Sequence, residues 1–336
     1  MDNQLIVSPS PHLHGGDSTR RLMRDVLIAL APAFLLSAWI YGWNVLIVTG
    51  VSVASCLLFE YLIGRFMLRK KSTLDDLSAV VTGMLLAFNL PSTLPLWMVA
   101  LGALVAIGIG KMSFGGLGRN LFNPALVGRV FLLISFPAAM TSFPIPAGVD
   151  ALSGATPLAI AKWAFKGGIP IREVLESISW KDYLIGFKAG SLGEIAALPL
   201  LLGFLYLLIR KVVSWHIPVF VLGTMALCTG ILWAVDPLHC MSPLFHLLTG
   251  GAILGAVFMA TDYVTSPMTA KGMAIFGIGI GVITALIRLW GAYPEGISFA
   301  ILIMNATVPL IDKYIKPRRF GTVKAVKKEE ASWRVR

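Results

Sequence analysis

The polar side chains that could do chemistry in this apolar chain fall into three short clusters. The central one is Asp150-Ala151-Leu152-Ser153-Gly154-Ala155-Thr156-Pro157. Its small residues let a bulky group come close to the backbone, because glycine and alanine interpose no side chain. Thr156 offers a hydroxyl oxygen at the end of the run. The same residues also read as a helix start: Thr156 as the N-cap, Pro157 at the first helical position, then Leu158 to Phe165. The second cluster is Asn120 and Asn123, three apart at the start of an apolar segment. On a helix that spacing places both amides on one face. Amides donate and accept hydrogen bonds, so the pair suits the polar edge of a ligand, or else a cap and turn before Pro124. The third is Asp262 with Thr261, Thr265 and Ser266. These oxygens suit a hard cation, or a structural cap where a helix breaks. A carboxylate in an apolar setting needs a partner, and Arg129 and Arg288, both inside apolar segments, are the candidates.

Metal chemistry has less to work with. The chain has only three cysteines, fewer than the four thiolates of a self-contained iron–sulfur cluster. Cys56 and Cys228 lie in apolar runs and read as small hydrophobes, and Cys240 beside His239 lacks a second ligand pair. No metal ligand is assigned.

The elements that carry these clusters are apolar and long. Of the 336 residues, 57% are hydrophobic and 13% charged, against roughly a quarter charged in soluble domains. Apolar runs of about 20 residues recur, the length a helix needs to cross a bilayer. Backbone in hydrocarbon must satisfy its own hydrogen bonds, and the alternation of a membrane barrel is absent, so the spans are expected to be helices. They fall near Val26–Tyr41, Val45–Ile63, Leu77–Leu90, Trp97–Ile109, Leu121–Phe136, Ile195–Ile209, Ile217–Val235, Leu244–Met259, Gly272–Leu289 and Ile297–Ile311. Asp262 is placed at the interruption of the eighth. The expectation is an all-α polytopic membrane protein of about ten transmembrane helices, in two inverted five-helix repeats with interrupted helices. Its parts are a polar lead (1–19), a first repeat (20–136), a long connection (137–192), a second repeat (193–315) and a basic tail (316–336), disordered past Phe320.

Charge sets the orientation. With the N-terminus in the cytoplasm, 21 of the 28 lysines and arginines fall on cytoplasmic segments, and the short outer loops hold none. Both termini are then cytoplasmic and the long connection with Thr156 faces outward. The net charge of +11 follows this distribution and does not indicate nucleic acid. No cleavable signal pattern precedes the first span. Two loose internal matches support the repeat: Thr82-Gly83 to Pro91 with Thr249-Gly250 to Pro267, and Asn123-Pro124-Ala125 with Asn305-Ala306-Thr307. Inverted repeats with broken helices place a binding site near the midplane.

Three stretches together carry a resemblance: Asp150 to Thr156, Gly115-Gly116-Leu117-Gly118-Arg119-Asn120-Leu121-Phe122-Asn123-Pro124-Ala125-Leu126, and Thr261-Asp262-Tyr263-Val264-Thr265-Ser266-Pro267. From about Arg20 to Lys316 the chain resembles the family of the D subunits of Rnf ion-translocating electron-transport complexes. The B subunits of sodium-pumping NADH:quinone reductases are the nearest relatives of these proteins and the alternative reading. The first stretch resembles that family's flavin-attachment motif, Asp-x-x-Ser/Thr-Gly-Ala-Thr. The resemblance implies FMN carried covalently through its phosphate on Thr156, with Asp150, Ser153, Gly154 and Ala155 as the rest of the motif. It also implies a noncovalent riboflavin, or another flavin, near Asn120 and Asn123, with Asp262 on the same cavity or beside an ion path. A cofactor is required in any case, since side chains are poorly suited to one-electron transfer across a membrane. Trp163, Phe165 and Trp180 are available to stack on a flavin, or to anchor the loop at the interface.

By the same resemblance the chain is one subunit of an ion-translocating oxidoreductase, a translocase in the bacterial or archaeal inner membrane, coupling ferredoxin and NAD to sodium or proton movement. Its partners would be the other subunits, including a second FMN-carrying subunit and an iron–sulfur membrane pair, with a flavin transferase for maturation. NAD itself is not expected here, since no strand–Gly-x-Gly-x-x-Gly–helix unit occurs. A solute channel or transporter with inverted repeats shares the architecture, but has no use for Ser-Gly-Ala-Thr on a long outer loop.

Overall fold

The computed structural model describes residues 18–69, 73–144, 153–171, 183, 184, 186, 189–193 and 197–317. Most of the polar lead and of the basic tail, Asp150 and Trp180 lie outside the described residues. The first half holds α1 (Thr19–Tyr41), α2 (Trp43–Leu62, continuing to Met67 as a π-helical turn), α3 (Ser78–Phe88), α4 (Leu96–Val105, extended by a π-helical turn Ala106–Lys111) and α5 (Pro124–Ser135). The connection carries α6 (Pro137–Thr141), a two-residue strand pair β1 (Phe143–Pro144) and β2 (Ser153–Gly154), and α7 (Pro157–Gly167). The second half holds α8 (Ala197–Ile209), α9 (His216–Val235), α10 (Pro243–Leu248), α11 (Ala252–Leu254, continuing as a π-helical turn Gly255–Met259), α12 (Ala270–Trp290) and α13 (Ile297–Tyr314).

Among the described residues six helices are long and apolar enough to cross a membrane: α1, α2, α4, α9, α12 and α13, counting the turns that extend α2 and α4. Ser78–Phe88, Pro124–Ser135 and Ala197–Ile209 are apolar but shorter. The chain is an all-α, multi-pass membrane protein. Exposed Leu35, Trp39, Leu104, Leu205, Leu227 and Ile278 form the kind of surface that lipid or neighbouring chains cover.

Local chemistry explains the helix starts. Asn123 before Pro124, Thr156 before Pro157 and Ser242 before Pro243 each cap a helix whose first residue lacks an N–H to satisfy. α4 packs on α2 and α5, and α3 on α2 and α5; in the second half α12 packs on α9 and α13. Across the halves, α1 packs on α8 and α5 on α13. The α4–α5 approach needs small residues: a Cβ on Gly128 would lie 2.6 Å from the carbonyl oxygen of Gly102.

The short helices leave carbonyl ends inside the fold, and each is satisfied by a different device. After α3, the Gly193 N–H donates to the Phe88 carbonyl at 2.8 Å and the Leu192 N–H to the Leu90 carbonyl at 3.4 Å. The α3 end is thus sealed by the long connection, which Ser37 pins through its hydroxyl to the Leu192 carbonyl at 2.7 Å. After α10, Arg288 from α12 donates to the carbonyls of His246, Thr249 and Gly250. The eighth segment therefore breaks at Thr249–Gly251, ahead of Asp262, which follows the π-helical turn in an irregular stretch. Gly250, at φ +67°, supplies the left-handed backbone of that break.

Candidate functional site

Two cavities gather the residues of the three clusters. Thr156 lines the first. It is 3% exposed, and its Oγ1 accepts from the Ala159 N–H at 3.2 Å, so the helix-cap reading of this segment is realised in α7. Ser153 and Gly154 pair through their backbone with Pro144 and Phe143, which fastens the approach to Thr156. The cavity beside it, about 320 Å³, is walled by Ala155, Thr156 and Ala159 on one side and by Arg129, Leu133, Phe143, Tyr293 and Glu295 among others. That volume falls in the range of small-molecule pockets, roughly 300–1,000 Å³. The aromatic neighbours differ from those anticipated. Trp163 is 66% exposed and neither it nor Phe165 lines this cavity; Phe143 and Tyr293 do. α7 points Trp163 away because it buries its opposite face, Leu158, Ala161 and Lys162. Lys162 reaches across to the carbonyls of Ile287 and Tyr293, at 2.9 and 2.6 Å, and so ties α7 to the α12–α13 connection.

The second cavity brings together Asn120, Asn123 and Asp262, with Ser78, Thr82 and Lys111. It is about 80 Å³. The two asparagines do not share a helical face. Asn120 precedes α5 in irregular chain, reached through Gly116 and Gly118 at positive φ. Asn123 is the N-cap, its Oδ1 accepting from the N–H groups of Ala125 and Leu126 at 3.0 and 3.4 Å. Its Nδ2 donates to the Met259 carbonyl at 3.1 Å, which joins α5 to the π-helical turn of the second half. The Asn305 amide, turned to suit its neighbours, accepts from the Asn123 N–H at 3.1 Å and donates to the Thr265 carbonyl at 3.1 Å. The two asparagines matched as loose internal counterparts therefore meet. Asn120 Nδ2 donates to the Phe122 carbonyl, and its buried Oδ1 has no hydrogen-bond partner among the described residues.

Neither expected arginine pairs with Asp262, whose carboxylate accepts from Thr265 Oγ1 at 3.1 Å. Arg288 is engaged with the α10 carbonyls. Arg129 Nη1 donates to Asn89 Oδ1 and Ser298 Oγ, each at 2.7 Å, and Nη2 pairs with Glu295. A second buried ion pair was also missed from the sequence. Lys111 Nζ lies 2.7 Å from Glu60 Oε2 and 2.6 Å from Ser78 Oγ, with Glu60 and Lys111 each 2% exposed. The available signal was a glutamate inside the apolar run of α2, which implies a partner at depth. Among the described residues no group of three or more His, Cys, Asp or Glu side chains forms a metal site.

Comparison with known proteins bears on these cavities. The family described as NQR2, RnfD, RnfE matches residues 6–321. The D subunit of the Na(+)-translocating ferredoxin:NAD(+) oxidoreductase complex of Acetobacterium woodii is 44% identical over 97% of this chain and 98% of its own length. The D subunit of the proton-translocating ferredoxin:NAD(+) oxidoreductase complex of Clostridium ljungdahlii is 41% identical over 95% and 97%. The D subunit of an ion-translocating oxidoreductase complex of Escherichia coli is 38% identical over 94% and 98%.

Proposed function

The chain belongs to the NQR2, RnfD, RnfE family, and on that premise we propose that it is a flavin-carrying membrane subunit of a complex coupling electron transfer between ferredoxin and NAD to sodium or proton translocation. The observation that carries the flavin part of the reading is Thr156, a buried hydroxyl at a helix N-terminus opening onto a cavity of about 320 Å³. The residues fit FMN. A phosphate on Thr156 sits where α7 presents its unsatisfied N–H groups and its positive dipole end. Gly154 and Ala155 keep the approach clear. The FMN supplies one- and two-electron chemistry when bound. The chain's own part is to hold the phosphate on Thr156 and to wall the ring with Leu133, Phe143 and Tyr293.

The second cavity fits a flavin in chemistry but not in room. Asn120 Oδ1 lacks a donor, yet about 80 Å³ is well below the roughly 300 Å³ at which small-molecule pockets begin. It has room for a few waters. A noncovalent flavin there requires the halves to part around Asn120 and Asp262, and no step is routed through one.

The other subunits, a second FMN-carrying subunit and an iron–sulfur membrane pair among them, would be the electron partners, and a flavin transferase would load Thr156. In this reading the protein lies in the inner membrane with both termini cytoplasmic, its two halves are inverted five-segment repeats, and α7 faces outward. A cysteine at exposed Trp163 then reacts with an impermeant thiol reagent added from outside, whereas labelling confined to inverted vesicles reverses the orientation. The direct test is the intact mass of the purified chain. Expression with the transferase should add one FMN and expression without it none; identical masses would overturn the assignment.

A further inference from the structure

One wall of the Thr156 cavity is not needed for attachment. Arg129, in the middle of α5, is 5% exposed and lines the cavity together with Glu295. Its two terminal nitrogens are held by Asn89, Ser298 and Glu295. Its Nε–H has no partner among the described residues. Apart from Thr141 and Thr156 the rest of the wall is apolar or aromatic, with Tyr293 stacked on Phe299 at 5.3 Å between ring centroids. In such surroundings a fixed charge acts on a neighbour far more strongly than it would in water.

We propose that Arg129, in the wall of the cavity, acts on the flavin carried by Thr156 through its charge, and that the Arg129–Glu295 pair sets that flavin's midpoint potential. The proposal rests on Thr156 as the attachment site. Asn89 and Ser298 fix the guanidinium plane, and Glu295 is a positioning residue that acts through Arg129 and offsets part of its charge. The sign follows from electrostatics. Reduction places negative charge on the flavin, so a nearby cation stabilises the reduced form and raises the potential. Removing the cation lowers it. Removing the carboxylate while keeping a hydrogen-bonding amide raises it.

The test is a spectroscopic redox titration of the full-length subunit, loaded by its transferase, with the Thr156→Ala chain as the blank that identifies the covalent flavin. Arg129→Gln should shift the midpoint to a more negative value and Glu295→Gln to a more positive one. The double variant should shift less than Arg129→Gln alone. A purely structural ion pair would move both single variants the same way, or neither, and either result overturns the proposal. If Arg129→Gln does not fold, Glu295→Gln decides: a positive shift supports the assignment and an unchanged midpoint overturns it. A wild-type chain with no more covalent flavin than Thr156→Ala would overturn the attachment reading, and this proposal with it. Normal covalent flavin with unmoved midpoints overturns this proposal alone.

Discussion

The two cavities are made in different ways. In the one at Thr156 the attachment residue is presented by a contiguous stretch, with β2, two small residues, a capping threonine and a proline all between Ser153 and Pro157, and α5, β1 and the α12–α13 connection supply the facing walls. The one at Asn120 and Asp262 is assembled from both halves, with Asn123 capping α5 while holding the Met259 carbonyl of the second half. Presentation of Thr156 depends on those few residues, whereas the room beside it depends on packing. A site made of two halves depends on how they pack, and its small volume reflects their present closeness.

The largest effect that could break this contrast is at Thr156. Thr156→Ala should abolish covalent flavin, Thr156→Ser should retain part of it, and Thr156→Asn should preserve the helix cap yet carry none. The cap itself contributes only about 0.5–2 kcal/mol, so the fold should survive all three. In-gel fluorescence of the denatured chain reads the outcome, and equal signal in the wild type and Thr156→Ala would remove the local site altogether.

The second cavity should respond to charge at its rim. Lys111→Met leaves Glu60 buried with no cation and should cost about 3–5 kcal/mol, whereas Lys111→Met with Glu60→Leu should recover most of that loss. Thermal unfolding in detergent distinguishes a coupled pair from two additive losses. Asn123→Ala comes next. It removes the cap of α5, about 1 kcal/mol, together with the link to Met259. Where the halves part to admit a noncovalent flavin, its content in the purified protein should fall while FMN on Thr156 stays constant. Unchanged noncovalent flavin would mean that Asn123 only caps. The smallest structural effect is expected at Asp262, which is half-buried and bonded to its neighbour Thr265. Asp262→Ala should slow ion-coupled turnover and leave both covalent flavin and melting temperature nearly unchanged. A large drop in melting temperature would make it a structural residue instead.

Much of the architecture was legible because hydrophobic length and helix capping are local. The apolar runs appear as helices close to where they were expected, as in Trp97–Ile109 against Leu96–Val105, and Ile217–Val235 against His216–Val235. The start of α7 at Thr156 and Pro157 was legible for the same reason. Where the eighth segment breaks was not. The interruption was expected at Asp262, whereas the chain breaks at Thr249–Gly251, and what allows the earlier break is Arg288, 38 residues on, satisfying the Gly250 carbonyl.

Pairing of charges was decided only in three dimensions. Arg129 and Glu295 are 166 residues apart, Lys111 and Glu60 51 apart. Composition demands that a charge inside an apolar segment find a partner, but several candidates satisfy that demand equally, and only packing selects one. Crossing of α5 with α13 brings Arg129 to Ser298 and Glu295, out of reach of the Asp262 partnership that sequence alone allowed. Sequence by itself therefore determined which segments are apolar, where helices begin and which threonine is presented. Tertiary structure decided which buried ions neutralise one another and how much room remains between the halves, because both depend on distances that chain order does not encode.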